Sequence, residues 1–124
     1  MAVEIRNILR EDGIELAVLE IKDGVLKKCK EVGNIEYSIS GSDLQGVTSI
    51  RHYAFPYCKA LSSVAIPDSV TIGEGAFSRC TGITQLTISE GVTIGYNAFK
   101  NCTGITQLTI PEGVTIGKRA FWDC

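Results

Sequence analysis

The chain has 124 residues, a formal net charge of −2, 44% hydrophobic and 21% charged residues, and a mean hydropathy of +0.15; these values describe one soluble globular unit and exclude a disordered polyelectrolyte. Residues 1–46 carry six basic and nine acidic side chains and residues 47–124 six and five, so neither half offers the basic patch that nucleic acid or an anionic lipid surface requires. No apolar run approaches the roughly 18 residues of a membrane span, which argues against membrane insertion, and the charged start "MAVEIRNILREDG" lacks the apolar core of a secretory signal.

The first 46 residues alternate apolar and polar side chains between turn signals, "DG" at 12–13 and 23–24 and "GN" at 33–34. The alternation predicts a short β meander over Val3–Leu9, Ile14–Ile21, Val25–Cys29 and Ile35–Ile39. Its first member is open to a second reading, a helix over Ala2–Arg10 with Ile5, Ile8 and Leu9 on one face. The stretch "ISGSDLQGV" at 39–47 repeats the outline of "ISEGV" at 88–92 with four residues inserted. Residues 1–46 therefore read as a degenerate repeat that caps the first regular coil.

From residue 47 a strict period takes over. Cys58, Cys80, Cys102 and Cys124 are each 22 residues apart, and so are Phe55, Phe77, Phe99 and Phe121, every one preceded by alanine. Ile50, Ile72, Ile94 and Ile116 keep the same step, and "CTGITQLTI" is spelled identically at 80–88 and 102–110. A unit of this size with one short apolar strand cannot bury its own hydrophobic face, so successive units must stack and share a core. Within each unit, "ITQLTI" points Leu86 and Ile88 inward and Gln85 and Thr87 outward. Pro67 and Pro111 close the strand because proline donates nothing to a ladder, and Glu-Gly at 90–91 and 112–113 supplies a turn. A second extended piece, "VTIG", comes next, and "AFSRC" or "AFKNC" predicts a tight helical turn in which Phe and Cys, three apart, meet on one face.

The pattern "VTIG..AF..C..I..LTIPEGVTIG" resembles the BspA-like class of leucine-rich repeats, over Val47 to Cys124 and about three and a half repeats, the last one cut short. Two departures occur: "VTSI" at 47–50 is one residue longer than "VTI" at 70, 92 and 114, and Ser89 stands where Pro67 and Pro111 stand. The resemblance implies a right-handed repeat solenoid, mostly β with short helical turns, behind an N-terminal β cap. It also implies a secreted or cell-surface location and an adhesin-like role for a longer parent protein. The near identity of the last repeats fits recent duplication and consensus engineering equally.

Five cysteines in a short chain invite a disulfide or metal reading. Cysteines in register on neighbouring coils keep their β-carbons near the ~4.8 Å interstrand spacing, beyond the ~3.8 Å of a disulfide, and a straight line of thiols cannot wrap a tetrahedral metal. Reduced, buried cysteines acting as small hydrophobes are expected, with Cys29, off the period, and Cys124, at the end, as the reactive pair. Catalysis has no support: His52 has counterparts Glu74, Tyr96 and Lys118 in the other repeats, no nucleophile motif accompanies it, and "TIGEGAF" lacks the spacing and lysine of a phosphate loop. No cofactor is called for.

A binding surface remains. The outward ladder Ser63, Ala65, Gln85, Thr87, Gln107 and Thr109, flanked by Ser62, Thr84 and Thr106, offers hydrogen bonds to a protein or glycan, although strand propensity alone also favours exposed threonine. Aromatic and basic residues on the turn side, His52, Tyr53, Tyr57, Tyr96, Lys118, Arg119 and Trp122, form the alternative patch. The rival readings are a spacer or stalk that binds nothing and an intracellular scaffold. Phe121, Trp122 and the strand edge Gln107–Ile110 predict a two-fold dimer through the C-terminal end.

Overall fold

The computed structural model describes residues 3–124; Met1 and Ala2, the latter included in the alternative helix, lie outside the described residues. Glu4–Leu9 is a strand, β1, so the helical reading of this segment is wrong. The reason is tertiary: β1 pairs antiparallel along its length with β2, Glu15–Lys22, which sinks Leu16, Ala17, Leu19 and Ile21 into the core. Antiparallel pairing of β2 with β3, Val25–Glu31, completes the meander, the Asp23-Gly24 turn lying in the left-handed region at both residues. Of the fourth predicted strand only Tyr37–Ile39, β4, is formed.

Beyond β4 the chain coils. Each coil contributes one strand to each of two sheets: β4 and β5 (Ser49–Ile50), β6 (Leu61–Ile66) and β7 (Thr71–Ile72), β8 (Gln85–Ile88) and β9 (Thr93–Ile94), β10 (Gln107–Thr109) and β11 (Thr115–Ile116). The longer strands stack in parallel as β4-β6-β8-β10, and the two-residue strands stack in parallel behind the meander, giving the order β1-β2-β3-β5-β7-β9-β11. The result is a mostly β solenoid. No helix among the described residues is long and apolar enough to cross a membrane.

The 22-residue step is visible as register. Val64 faces Leu86 and Leu86 faces Leu108; Ile50, Ile72, Ile94 and Ile116 form a second row. Between the sheets Phe55, Phe77 and Phe99 are fully buried and stack ring on ring, with Phe121 continuing the column. The alanine before each Phe is buried too, at Ala54, Ala76, Ala98 and Ala120, where a larger side chain has no room. Strand closure obeys the proline logic with one refinement. The Ser89 N–H donates to the Ile66 carbonyl at 3.2 Å, a bond between coils that Pro67 and Pro111 cannot make.

The Ala-Phe block takes a different form from a helical turn. Two residues in each block are left-handed: Tyr53, Gly75, Asn97 and Arg119 in one row, Tyr57, Arg79, Asn101 and Asp123 in the other. These positions interrupt any helix and leave a chain of turns closed by bonds such as Ala76 N–H to Gly73 O and Cys80 N–H to Phe77 O. The left-handed residues aim their N–H groups along the solenoid axis: Gly75 donates to Tyr96 O, Arg79 to Lys100 O and Asn97 to Lys118 O. Those bonds between coils offset the strain of a non-glycine residue in that region, typically 1–3 kcal/mol. Phe and Cys still share the inner side, as the spacing requires.

Candidate functional site

Two surfaces carry the residues singled out by the sequence. On the sheet built from the longer strands, parallel register stacks Ser63 on Gln85 on Gln107 and Ala65 on Thr87 on Thr109. Gln85, Thr87, Gln107 and Thr109 are exposed, whereas Ser63 and Ala65 are half-buried. The exposed four, with Thr106, border a shallow depression of about 420 Å³. The flanking hydroxyls are occupied by the fold itself: Ser62 donates to Tyr37 O, Thr84 to Ser62 O and Thr106 to Thr84 O, at 3.1–3.3 Å. What the ladder presents to a partner is therefore two rows of uncharged polar groups on a rigid, regularly spaced sheet.

The turn side is different in character and divides into two clusters. In the first, Tyr53 and Tyr57 stand more than half exposed, at 56% and 58%. The Tyr53 hydroxyl donates to Glu74 at 3.0 Å, which raises the phenol above its usual range, and the Arg79 guanidinium donates to the Tyr57 hydroxyl at 3.1 Å. Between them opens a cleft of about 400 Å³ whose far wall is Asn97 and Lys100. In the second cluster Trp122 lies under two cations, with Lys100 at 4.9 Å and Arg119 at 4.7 Å from its ring. His52 packs edge-on against Tyr53 at 5.9 Å between centroids. Tyr96 and Lys118 share the row of His52 and Glu74 and do not line the cleft.

Sequence reasoning had not singled out Arg79, Lys100, Asn97 or Gly75. Their signal was present in the variation between repeats. The row Tyr57, Arg79, Asn101, Asp123 and the row Pro56, Ser78, Lys100, Trp122 change at every coil, as surface positions do, and only the coiling shows that Arg79 and Lys100 flank the same opening.

The thiols have a structural part beyond packing. Cys80, Cys102 and Cys124 each donate the S–H to the carbonyl of the Phe one coil earlier, Phe55, Phe77 and Phe99, at 3.3, 3.1 and 3.0 Å. Burial pushes the Cys102 thiol up to about 12. The neighbouring Cys58 sulfur, and then burial, also hold the Cys29 and Cys80 thiols above the usual range. Cys29 sits 3.6 Å from the Tyr37 hydroxyl and is 1% exposed, which corrects the expectation that it is a reactive thiol; Cys124 is exposed. All five cysteines are free, and no metal-holding group of His, Cys, Asp and Glu is found among the described residues.

Coil period, two sheets whose coil strands stack in parallel and a phenylalanine column define a leucine-rich-repeat solenoid. Residues 9–124 match the BspA type leucine rich repeat region (6 copies), so the chain belongs to that family. The match begins well before Val47, where the sequence pattern first becomes regular. Among solved structures, the leucine-rich repeat protein of T. pallidum is similar, with a TM-score of 0.65 and 23% identity over 93% of this chain. This chain spans 51% of that protein, and the likeness concerns the fold. No curated protein matches the chain. The family and fold are generally non-catalytic repeat modules of the kind used for protein interaction.

Proposed function

We propose that the chain is a non-catalytic interaction module of an adhesin-like, surface-exposed protein, which meets a protein or glycan partner along its strand ladder. The observation that carries this reading is the register of Gln85 on Gln107 and Thr87 on Thr109, exposed on one face without an intervening charge. Donors and acceptors repeated at the interstrand spacing of about 4.8 Å match an extended partner. The rigid backbone behind them lowers the ordering cost of binding. Family membership supports the surface location.

A spacer is the second reading, favoured by the use of the Thr84 and Thr106 hydroxyls inside the fold. Solid-phase binding to a panel of extracellular glycoproteins and glycans separates the two. The interaction reading expects a partner whose binding is lost in the double variant Thr87→Arg, Gln107→Arg, with the circular dichroism unchanged. A chain that binds no member of the panel, or binds one equally well with both arginines in place, is a spacer on this face.

A further inference from the structure

We propose that the cleft between Tyr53, Tyr57, Arg79 and Lys100 is a binding site for an anionic saccharide unit, a sugar carrying carboxylate or sulfate. The site lies among the turns rather than on the strand ladder, and the proposal stands whether or not the ladder binds anything.

One missing side chain seats the ring that forms a wall of the cleft. In the row Tyr53, Gly75, Asn97, Arg119, the second coil has glycine at φ +61°, and a β-carbon there would fall 2.3 Å from Cε1 of Tyr53. The Tyr53 ring therefore lies across the Gly75 backbone, held in place by its hydroxyl bond to Glu74. Beside that ring, and bordered by Gly75, opens the cleft of about 400 Å³, the size of a small-molecule site.

Three kinds of group face that space. Tyr53 and Tyr57 supply aromatic surface that stays more than half exposed in a fold that buries Phe55, Phe77 and Phe99 completely. Arg79 and Lys100 supply positive charge. The ion pairs among the described residues are Arg6 with Glu4 and Arg10 with Asp12, so neither cleft cation is neutralised by a carboxylate. Glu74 lies outside the lining with an oxygen engaged by the Tyr53 hydroxyl. Third, Asn97 lines the cleft, and its Oδ1 is enclosed without a hydrogen-bond partner among the described residues. A buried amide oxygen without a donor is costly, and a ligand hydroxyl in the cleft is a donor for it.

An occupant that satisfies all three must combine an anion, hydroxyl donors and a flat C–H face. A free phosphate lacks the face, and a neutral sugar leaves Arg79 and Lys100 without a counter-charge. An acidic sugar has every part: its ring lies on a tyrosine, its hydroxyls reach Asn97 and Ser78, and its carboxylate or sulfate meets the guanidinium fork of Arg79.

The test is a titration at low salt, followed by NMR of the tyrosine ring and Arg79 side-chain signals, with three oligosaccharides of equal length: a hexuronate, a sulfated one and a neutral one. At least one charged oligosaccharide is expected to shift the Tyr53 and Tyr57 signals and bind at least about tenfold more tightly than the neutral one, with affinity falling as salt rises. Which of the two binds identifies the anion. Arg79→Gln is expected to weaken binding at least about tenfold, Lys100→Gln to weaken it as well, and Thr87→Arg on the ladder to leave it unchanged. Arg79 is exposed, so circular dichroism of its variant should match the parent. No response to either charged sugar up to about 10 mM, equal binding of the neutral one, or undiminished binding by Arg79→Gln would overturn the proposal. So would an acidic peptide that occupies the cleft when neither sugar does.

Discussion

The rings of Phe77 and Phe99 stack face to face, 5.0 Å between centroids and 6° from parallel, and both are fully buried. Each coil thus supplies part of the next coil's core, which is how 22-residue units without a core of their own become stable. Removing one ring opens a void that coils above and below cannot close, because their spacing is fixed by backbone ladders on both sheets. Phe99→Ala is therefore expected to cost about 3–5 kcal/mol in urea unfolding. Thr87→Ala, on the exposed ladder, should cost under about 1 kcal/mol. Equal, small losses at both sites would show that the inner and outer faces are wrongly assigned.

The period carried most of this architecture because it is a packing constraint written directly into residue type: Phe, Cys, Ala and Ile recur where only those volumes fit. The left-handed residues were not legible. Tyr57, Arg79, Asn101 and Asp123 share a backbone conformation and no side-chain chemistry; at Arg79 and Asn101 the fold uses the N–H group, which almost any residue can supply. The strand at Glu4–Leu9 could not be separated from a helix by its own pattern, because pairing with β2 decides it. The cleft was hidden for a related reason. It depends on the Tyr53 ring lying where Gly75 has no side chain and on residues 57, 79 and 100 converging across coils, and no single stretch of sequence contains that relationship.

Gly95 makes the backbone spacing testable. A β-carbon there would lie 2.6 Å from the Ile72 carbonyl oxygen and 3.0 Å from the Gly73 carbonyl carbon, both main-chain atoms of the preceding coil. That same Ile72 carbonyl accepts the Gly95 N–H at 2.8 Å, so the contact cannot relax without loosening the ladder. Gly95→Ala is expected to destabilise by about 1–3 kcal/mol. Gly33, with open space around it and no positive φ, is the control, and Gly33→Ala should stay within about 0.5 kcal/mol. A tolerated alanine at 95 would mean that the coils are further apart than described.

Leu108 and Ile116 stand in register with Leu86 and Ile94, yet are 42% and 49% exposed where the other two are 1%. Apolar side chains and the unpaired groups of β10 share this face, and a net charge of −2 gives little repulsion between copies. The chain is expected to self-associate here, with a second copy as the occupant and a two-fold arrangement letting identical faces cover each other. Light scattering should show a mass that rises with concentration, and Leu108→Lys should lower it. A constant monomer mass up to high concentration would remove this expectation.

The thiols give a prediction in both count and pH. Titration of the unfolded, unreduced protein should find five free sulfhydryls, whereas the folded protein should react rapidly at Cys124 alone, because Cys29, Cys58, Cys80 and Cys102 are buried. A bridge between any two of Cys58, Cys80 and Cys102 would contradict the stacking. For pH, burial raises the folded Cys102 thiol to about 12, against about 8.5 for a thiol in an unfolded chain. Between those values the unfolded state has lost a proton that the folded state keeps. The stability contributed by the buried thiol is therefore fully present below about pH 8.5 and lost progressively as pH rises toward about 12. Urea unfolding midpoints should hold steady from about pH 6 to 8 and fall through pH 9 to 10.5. Cys102→Ala removes the titrating group along with its bond to the Phe77 carbonyl, so its midpoint should start lower and decline with a shallower slope over the same range. An identical slope in the variant would mean that the Cys102 thiol titrates at the same pH in the folded and unfolded chains.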